Sequence, residues 1–255
     1  MLDIFNSIID DIKLVEKKIE KELIITKAGP AGKFAHLQFS HVDRIMRPAV
    51  TIFSARLFNY QREQTVVLAS IIQFIYMASR VHSHLTEEDP RYNQSVDLRD
   101  GSQFPVLIGD YLYGKFFYQL SNANMVEHLG KLSDAICKIN EGGVLRNQNS
   151  NPSHNLMLNI IQKETAELFA ICCSLGAEIS GASQKEKNLM HDFGVNFGLG
   201  YGMLEKGISY DYAEEHFINA KECLEKLKAG TNREGLFNLI NAFKNDQFGL
   251  QRMVV

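Results

Sequence analysis

The chain has 255 residues, of which 45% are hydrophobic and 22% charged, and its 27 Lys and Arg against 30 Asp and Glu leave a net charge of −3. Those values exclude a wholly disordered chain, and the slightly acidic balance argues against a dedicated nucleic-acid binder, which carries a basic excess. No run of about 18 consecutive apolar residues marks a membrane span, and the acids inside the opening MLDIFNSIIDDIKLVEKK speak against a secretory signal.

Ile4, Ile8, Ile12, Val15 and Ile19 recur at helical spacing with charged residues between them, which predicts an amphipathic first helix. The stretch TKAGPAGK, residues 26–33, breaks it. A second helix is expected from about Ala35 to Tyr60, with Pro48 bending or splitting it near Arg47. A third, VVLASIIQFIYMASRVHSHL, is apolar on most faces and so belongs at the centre of a core. Residues 86–102 read as a polar loop. Helical pattern resumes at 104–119 and 125–140, and EGGVLRNQNSNPSHN, residues 141–155, reads as the longest turn-rich tract. Helices follow at 156–179, ended by Ser180 and Gly181, at 183–206, stopped by Gly207, and at 212–228 and 234–245. There is no sustained period-2 strand, repeat or linker, so a single all-α domain over residues 1–255 is expected.

Local motifs carry little chemistry alone. GPAGK, residues 29–33, has the wrong spacing for a phosphate loop and lacks the following Ser or Thr. Gly198-Leu199-Gly200-Tyr201-Gly202 has no strand before it, so small residues allowing close helix approach are favoured over a dinucleotide loop. His82, His84, Glu87, Glu88 and Asp89 crowd one helix end, but His82 and His84 diverge by about 200° on a helix, which favours a solvated terminus over a zinc site. Cys137, Cys172, Cys173 and Cys223 form no CxxC pair. Cys172 and Cys173 read as buried helix residues, and a reduced cytoplasm is the simplest compartment.

Five segments in order carry a family resemblance. They are Arg44-Ile45-Met46-Arg47-Pro48, the stretch from Ile72 to His82, Val106-Leu107-Ile108-Gly109-Asp110-Tyr111-Leu112, Thr165-Ala166-Glu167 with Leu175-Gly176-Ala177, and Phe193-Gly194 with Phe197-Gly198. Over residues 40 to about 240 the chain resembles the trans-isoprenyl diphosphate synthases, the polyprenyl synthetase family. The resemblance implies an isoprenoid synthase-type antiparallel helical bundle around a deep central cavity. In that family two Asp-Asp-x-x-Asp motifs hold magnesium ions that bridge the leaving diphosphate of an allylic substrate. Here the first motif reads Ser83-His84-Leu85-Thr86-Glu87 and the second Glu205-Lys206-Gly207-Ile208-Ser209. One carboxylate survives in each, and Lys206 stands where an aspartate belongs. Glu164 replaces the lysine expected before Thr165, with Lys163 beside it, and Gly143 and Arg146 stand for a Glu and a Gln.

Mg²⁺ leaves water reluctantly and needs several hard oxygen ligands, so no metal site, and no resident cofactor, is expected from the remaining groups. The resemblance leaves Arg44, Arg47 and Lys163 as the expected diphosphate contacts, and Ala78 and Ser79 as the small residues of a cavity floor. It implies a homodimer, or a heterodimer with a catalytic polyprenyl synthase subunit, formed around Leu107–Leu112. A non-catalytic subunit in isoprenoid biosynthesis is the leading functional expectation. A divergent active prenyltransferase using Mg²⁺, and a carrier of an apolar ligand in the cavity, are the alternatives.

Overall fold

The computed structural model describes residues 3–25, 29–30, 39–83, 103–228, 231–245 and 248–249. A 3₁₀ turn, Asp3–Ile8, leads into α1 (Ile9–Glu22). A two-residue antiparallel pairing of β1 (Ile24–Ile25) with β2 (Gly29–Pro30) is the strand structure among the described residues. The helices that follow are α2 (His41–Arg56), α3 (Arg62–Ser83), α4 (Gln103–Asn122), α5 (Leu129–Gln148) and α6 (His154–Ile161). A π-helical turn, Gln162–Ala166, joins α6 directly to α7 (Glu167–Ile179), and α8 (Gln184–Glu205), α9 (Tyr210–Glu225) and α10 (Glu234–Lys244) complete the bundle. The protein is all-α, as the sequence pattern predicts.

Local chemistry sets several of these boundaries. Ser40 with Asp43, and Ser183 with Glu186, form reciprocal capping boxes that satisfy the first free N–H groups of α2 and α8. Gly181 and Gly207 sit at φ 82° and 75°, where only glycine is unstrained, and end α7 and α8 with Ala182 N–H bonded to Ala177 O and Ile208 N–H to Met203 O.

One continuous apolar cluster runs through the bundle. α3 packs against α2 and α4, α2 against α7, and α8 between α7 and α9. By length and composition α3 could cross a membrane, contrary to the sequence expectation that no segment qualifies. Within the bundle 83% of its apolar stretch is buried, which is what a central helix of a helical core shows.

Two further expectations are corrected. α2 runs unbroken through Pro48, with every residue from Ile45 to Ala55 buried. Burial of a whole helix face offsets the roughly 3 kcal/mol that an interior proline costs. The tract read as turns is largely helix, because α5 continues through EGGVLRNQ. Gly142 within it sits at a close contact. A Cβ there would lie 2.8 Å from Glu164 Cγ and 3.0 Å from Lys163 Cβ, so only glycine lets α5 approach the π-helical turn. At the centre α2 packs with α3 and α7, while α4 keeps one face outside.

Candidate functional site

A cavity of about 560 Å³ opens between α2, α3, α5, the π-helical turn and the end of α8. Its back wall is Arg47. This side chain is only 2% exposed, and its guanidinium lies 3.4 Å from the centroid of the Tyr76 ring and 5.1 Å from that of Phe169. Tyr76 is fixed in turn because its hydroxyl donates to Asp43, whose carboxylate also caps α2, while Gln73 Nε2 donates to Asp43 O at 3.0 Å. Burial opposes the charge of Arg47, but Tyr76, Tyr201, Glu205 and Asp43 outweigh that and raise its pKa further. Asp43 shows the same balance with the opposite sign. Burial pushes its carboxyl up, and hydrogen bonds from Tyr76 and Ser40 bring it below the usual carboxylate range. Nε and Nη1 of Arg47 are buried with no acceptor, an expensive arrangement for a charged donor.

The cavity lining also carries an ion-pair network. Glu164, on the π-helical turn, accepts from Arg146 Nε of α5 at 2.8 Å and from Lys206 Nζ at the end of α8 at 3.3 Å. The extra residue of a π-turn re-aims side chains inside an otherwise continuous helix, and such turns concentrate at functional sites. Here it presents Glu164 and Thr165 to the cavity while Lys163 turns outward.

The placement of each sequence candidate follows from this geometry. Ser83, Glu205 and Lys206 all line the cavity. His84 and Glu87 lie outside the described residues. Ser209 lies away from the cavity and caps α9 by accepting from Asp211 N. Arg47 lines the cavity, whereas Arg44 is exposed and does not. Lys163 also stays out of the wall, because its ammonium pairs with Glu141 at 2.7 Å. Ser79 lines the cavity and shares a 3.0 Å hydrogen bond with Tyr113, while Ala78 is packed into the core. His82 leans onto α4 over Gly109 and meets Asp110 Oδ1 at 3.5 Å, so it does not build a metal cluster with any described neighbour. Cys172 and Cys173 are fully buried, and burial pushes the Cys172 thiol up to about 11, which removes it as a nucleophile.

The sequence pattern missed Tyr76, Arg80 and Asn140 as cavity residues. Tyr76 and Arg80 sit in a helix that reads as core on most faces, and Asn140 lies where a helix was taken to end.

The polyprenyl synthetase family model matches residues 35–205, most of the chain. The protein belongs to that family. It is 25% identical over 171 residues to the octaprenyl diphosphate synthase of Escherichia coli K12, an alignment covering 65% of this chain and 53% of that one, so the chain spans about half the length of this curated relative. Its fold matches that of a decaprenyl diphosphate synthase from Rhodobacter capsulatus with a TM-score of 0.76 at 19% identity, covering 99% of this chain and 98% of the other. The geranyl diphosphate synthase small subunit of Antirrhinum majus aligns with a TM-score of 0.74 at 16% identity, covering 94% and 100%.

The family implies magnesium ions in this cavity, and the described residues do not fit them. Mg²⁺ demands near-octahedral oxygen coordination from carboxylates and water. Of the two carboxylates in the described wall, Glu164 is already held by two cations, leaving Glu205 alone beside Lys206 and Arg47.

Proposed function

We propose that this chain is a non-catalytic subunit of a heteromeric polyprenyl diphosphate synthase. The observation that carries the reading is the Lys206–Glu164 pair. A cation at the second motif, and an anion where a substrate-binding lysine is expected, have exchanged charge and neutralise one another across the cavity wall. Losing a key electrostatic group costs roughly 3–4 kcal/mol of transition-state stabilisation, and several are lost together here. The packing signatures meanwhile persist, which is the combination expected of a chain kept for its shape. The fold of the Antirrhinum majus protein, itself named a small subunit, is compatible with such a part.

The partner surface in this reading is the outer face of α4. Ile108, Leu112, Phe116 and Leu120 point inward, while Leu107, Phe117 and Tyr118 are 61%, 51% and 57% exposed. Leu107, Gly114 and Tyr118 fall on one helical stripe, with Val106 and Phe117 along its edge. An aromatic-rich exposed stripe of this kind suits a subunit interface.

The test is turnover of labelled isopentenyl diphosphate and an allylic diphosphate with Mg²⁺. The chain alone is expected to be inactive, and adding the complete synthase of the same organism is expected to give a complex that co-purifies and whose product length differs from that of the synthase alone. Turnover by the isolated chain would instead establish a divergent prenyltransferase.

A further inference from the structure

We infer that Glu164 is the keystone of an internal clasp: by holding Arg146 and Lys206 it ties α5, the π-helical turn and the end of α8 into one rigid cavity wall, already set in the chain free of ligand and metal. The inference deepens the subunit reading and rests on it, since a chain kept for its shape is served by a wall that its own charges hold.

Both helices reach the carboxylate in the same way. Gly194, Gly198 and Gly202 of α8 recur every fourth residue, and Lys206 is the next position of that row. A Cβ on Gly202 would lie 2.6 Å from Ile161 Cγ2 and 3.2 Å from Thr165 Cβ, so the last turns of α8 rest directly on the π-helical turn and the residue before it. One turn further on, Lys206 Nζ reaches Glu164 Oε2 at 3.3 Å. In α5 the same spacing separates Gly142 from Arg146. A Cβ on Gly142 would meet Glu164 Cγ at 2.8 Å, and Arg146 Nε reaches Glu164 Oε1 at 2.8 Å. Each helix thus approaches the turn through a glycine and, four residues later, gives a cation to one oxygen of the same carboxylate. The Glu164 side chain is 16% exposed, so salt screens these pairs less than it screens surface pairs. The position of the clasp matters for the corner that follows. Gly207, exposed and at φ 75°, comes directly after Lys206 and leads the chain toward α9. The clasp therefore anchors the α8–α9 corner at the residue before its most permissive position.

Hydrogen exchange of the full-length chain in EDTA, read by mass spectrometry, tests this. Amides of residues 201–208 are expected to exchange about tenfold faster in Glu164→Gln and in Lys206→Met than in wild type. The double variant should exchange no faster there than Glu164→Gln alone, because the interaction is already gone. Lys163→Gln, which breaks the neighbouring pair with Glu141 outside the cavity, should leave residues 201–208 as in wild type. Adding Mg²⁺ with inorganic pyrophosphate to wild type should give these residues no further protection. Unchanged exchange in both single variants, additive effects in the double variant, equal loosening by Lys163→Gln, or wild-type protection that rises with Mg²⁺ and pyrophosphate overturns the clasp. Should Glu164→Gln fail to fold, Lys206→Met decides at 201–208 and Arg146→Gln at 142–149, since each leaves Glu164 one partner, and unchanged exchange in both overturns it. Turnover by the isolated chain would defeat the subunit reading whatever the exchange rates show, so the two failures are distinguishable.

Discussion

Asp11 is 2% exposed, yet it is fully partnered. Its carboxylate accepts from Arg56 Nη2 and Arg62 Nε at 2.6 Å and from the Tyr60 hydroxyl at 2.7 Å, which ties α1 to the α2–α3 corner. Burial pushes its pKa up, and the hydrogen bonds from Tyr60, Arg56 and Arg62 outweigh this and bring it below the ordinary value. A depressed carboxyl stabilises the fold fully above its unfolded pKa of about 3.9 and loses that contribution as pH falls through the lower native value. Asp11→Asn is expected to cost about 3 kcal/mol in urea titrations at pH 7. The gap to wild type should stay constant down to about pH 5 and close at more acid pH; a gap that widens on acidification would show that the carboxylate is not the group responsible. Nothing in the sequence flagged Asp11, which looks like any acid in an amphipathic first helix. Its partners lie 45 to 51 positions away, and only the folded chain brings them together. Arg47 was legible because a motif resemblance pointed to it. Its support from Tyr76 and Asp43 was not, since a tyrosine in an all-round apolar helix reads as core.

At the level of elements, α8 shows why pattern reading succeeds in one place and fails in another. Gly194, Gly198 and Gly202 repeat every fourth residue and face the helix before it. A Cβ on Gly198 would lie 2.5 Å from Ala166 Cα, and one on Gly194 2.5 Å from Ala170 Cα. The glycines therefore mark a close helix crossing, the reading favoured from sequence over a nucleotide loop. The same residue type misled at 142–143, where two glycines followed by polar residues read as a turn. Helical spacing with apolar residues around it identified the first case; the second depended on the partner turn at 162–166, which has no local signature. Gly198→Ala is expected to destabilise by about 1–3 kcal/mol, although alanine has the better helix propensity, because α7 and α8 must move apart. Gly130→Ala in α5, where the space beside the glycine is open, should be neutral or stabilising by under about 1 kcal/mol. Equal effects of the two substitutions in thermal melts would remove the close-approach argument.

For the whole molecule, the family's architecture is largely written in apolar periodicity, whereas the chemistry of the cavity is not. The structure pairs Lys206 with Glu164, 42 positions away and beyond the reach of any local sequence pattern. That choice follows from reach. The π-helical turn projects Glu164 toward the end of α8, and Glu205 is the neighbour of Lys206 in sequence, which on a helix points it to a different side. The outer face of α4 is the other large-scale feature that periodicity half revealed. Five aromatics between positions 111 and 118 cover more than one face, and the bundle buries Phe116 while leaving Phe117 and Tyr118 outside. If that stripe is the subunit interface, Phe117→Glu should abolish association while leaving helical content close to wild type and lowering the melting temperature only slightly, since the half-exposed ring packs inside the fold only on the neighbouring Phe116. Sedimentation velocity at micromolar concentration, with and without the catalytic partner, reads the outcome. An interface core tolerates a desolvated unpaired carboxylate poorly, so the loss should exceed tenfold in affinity. Unchanged association in the variant would place the partner elsewhere on the bundle.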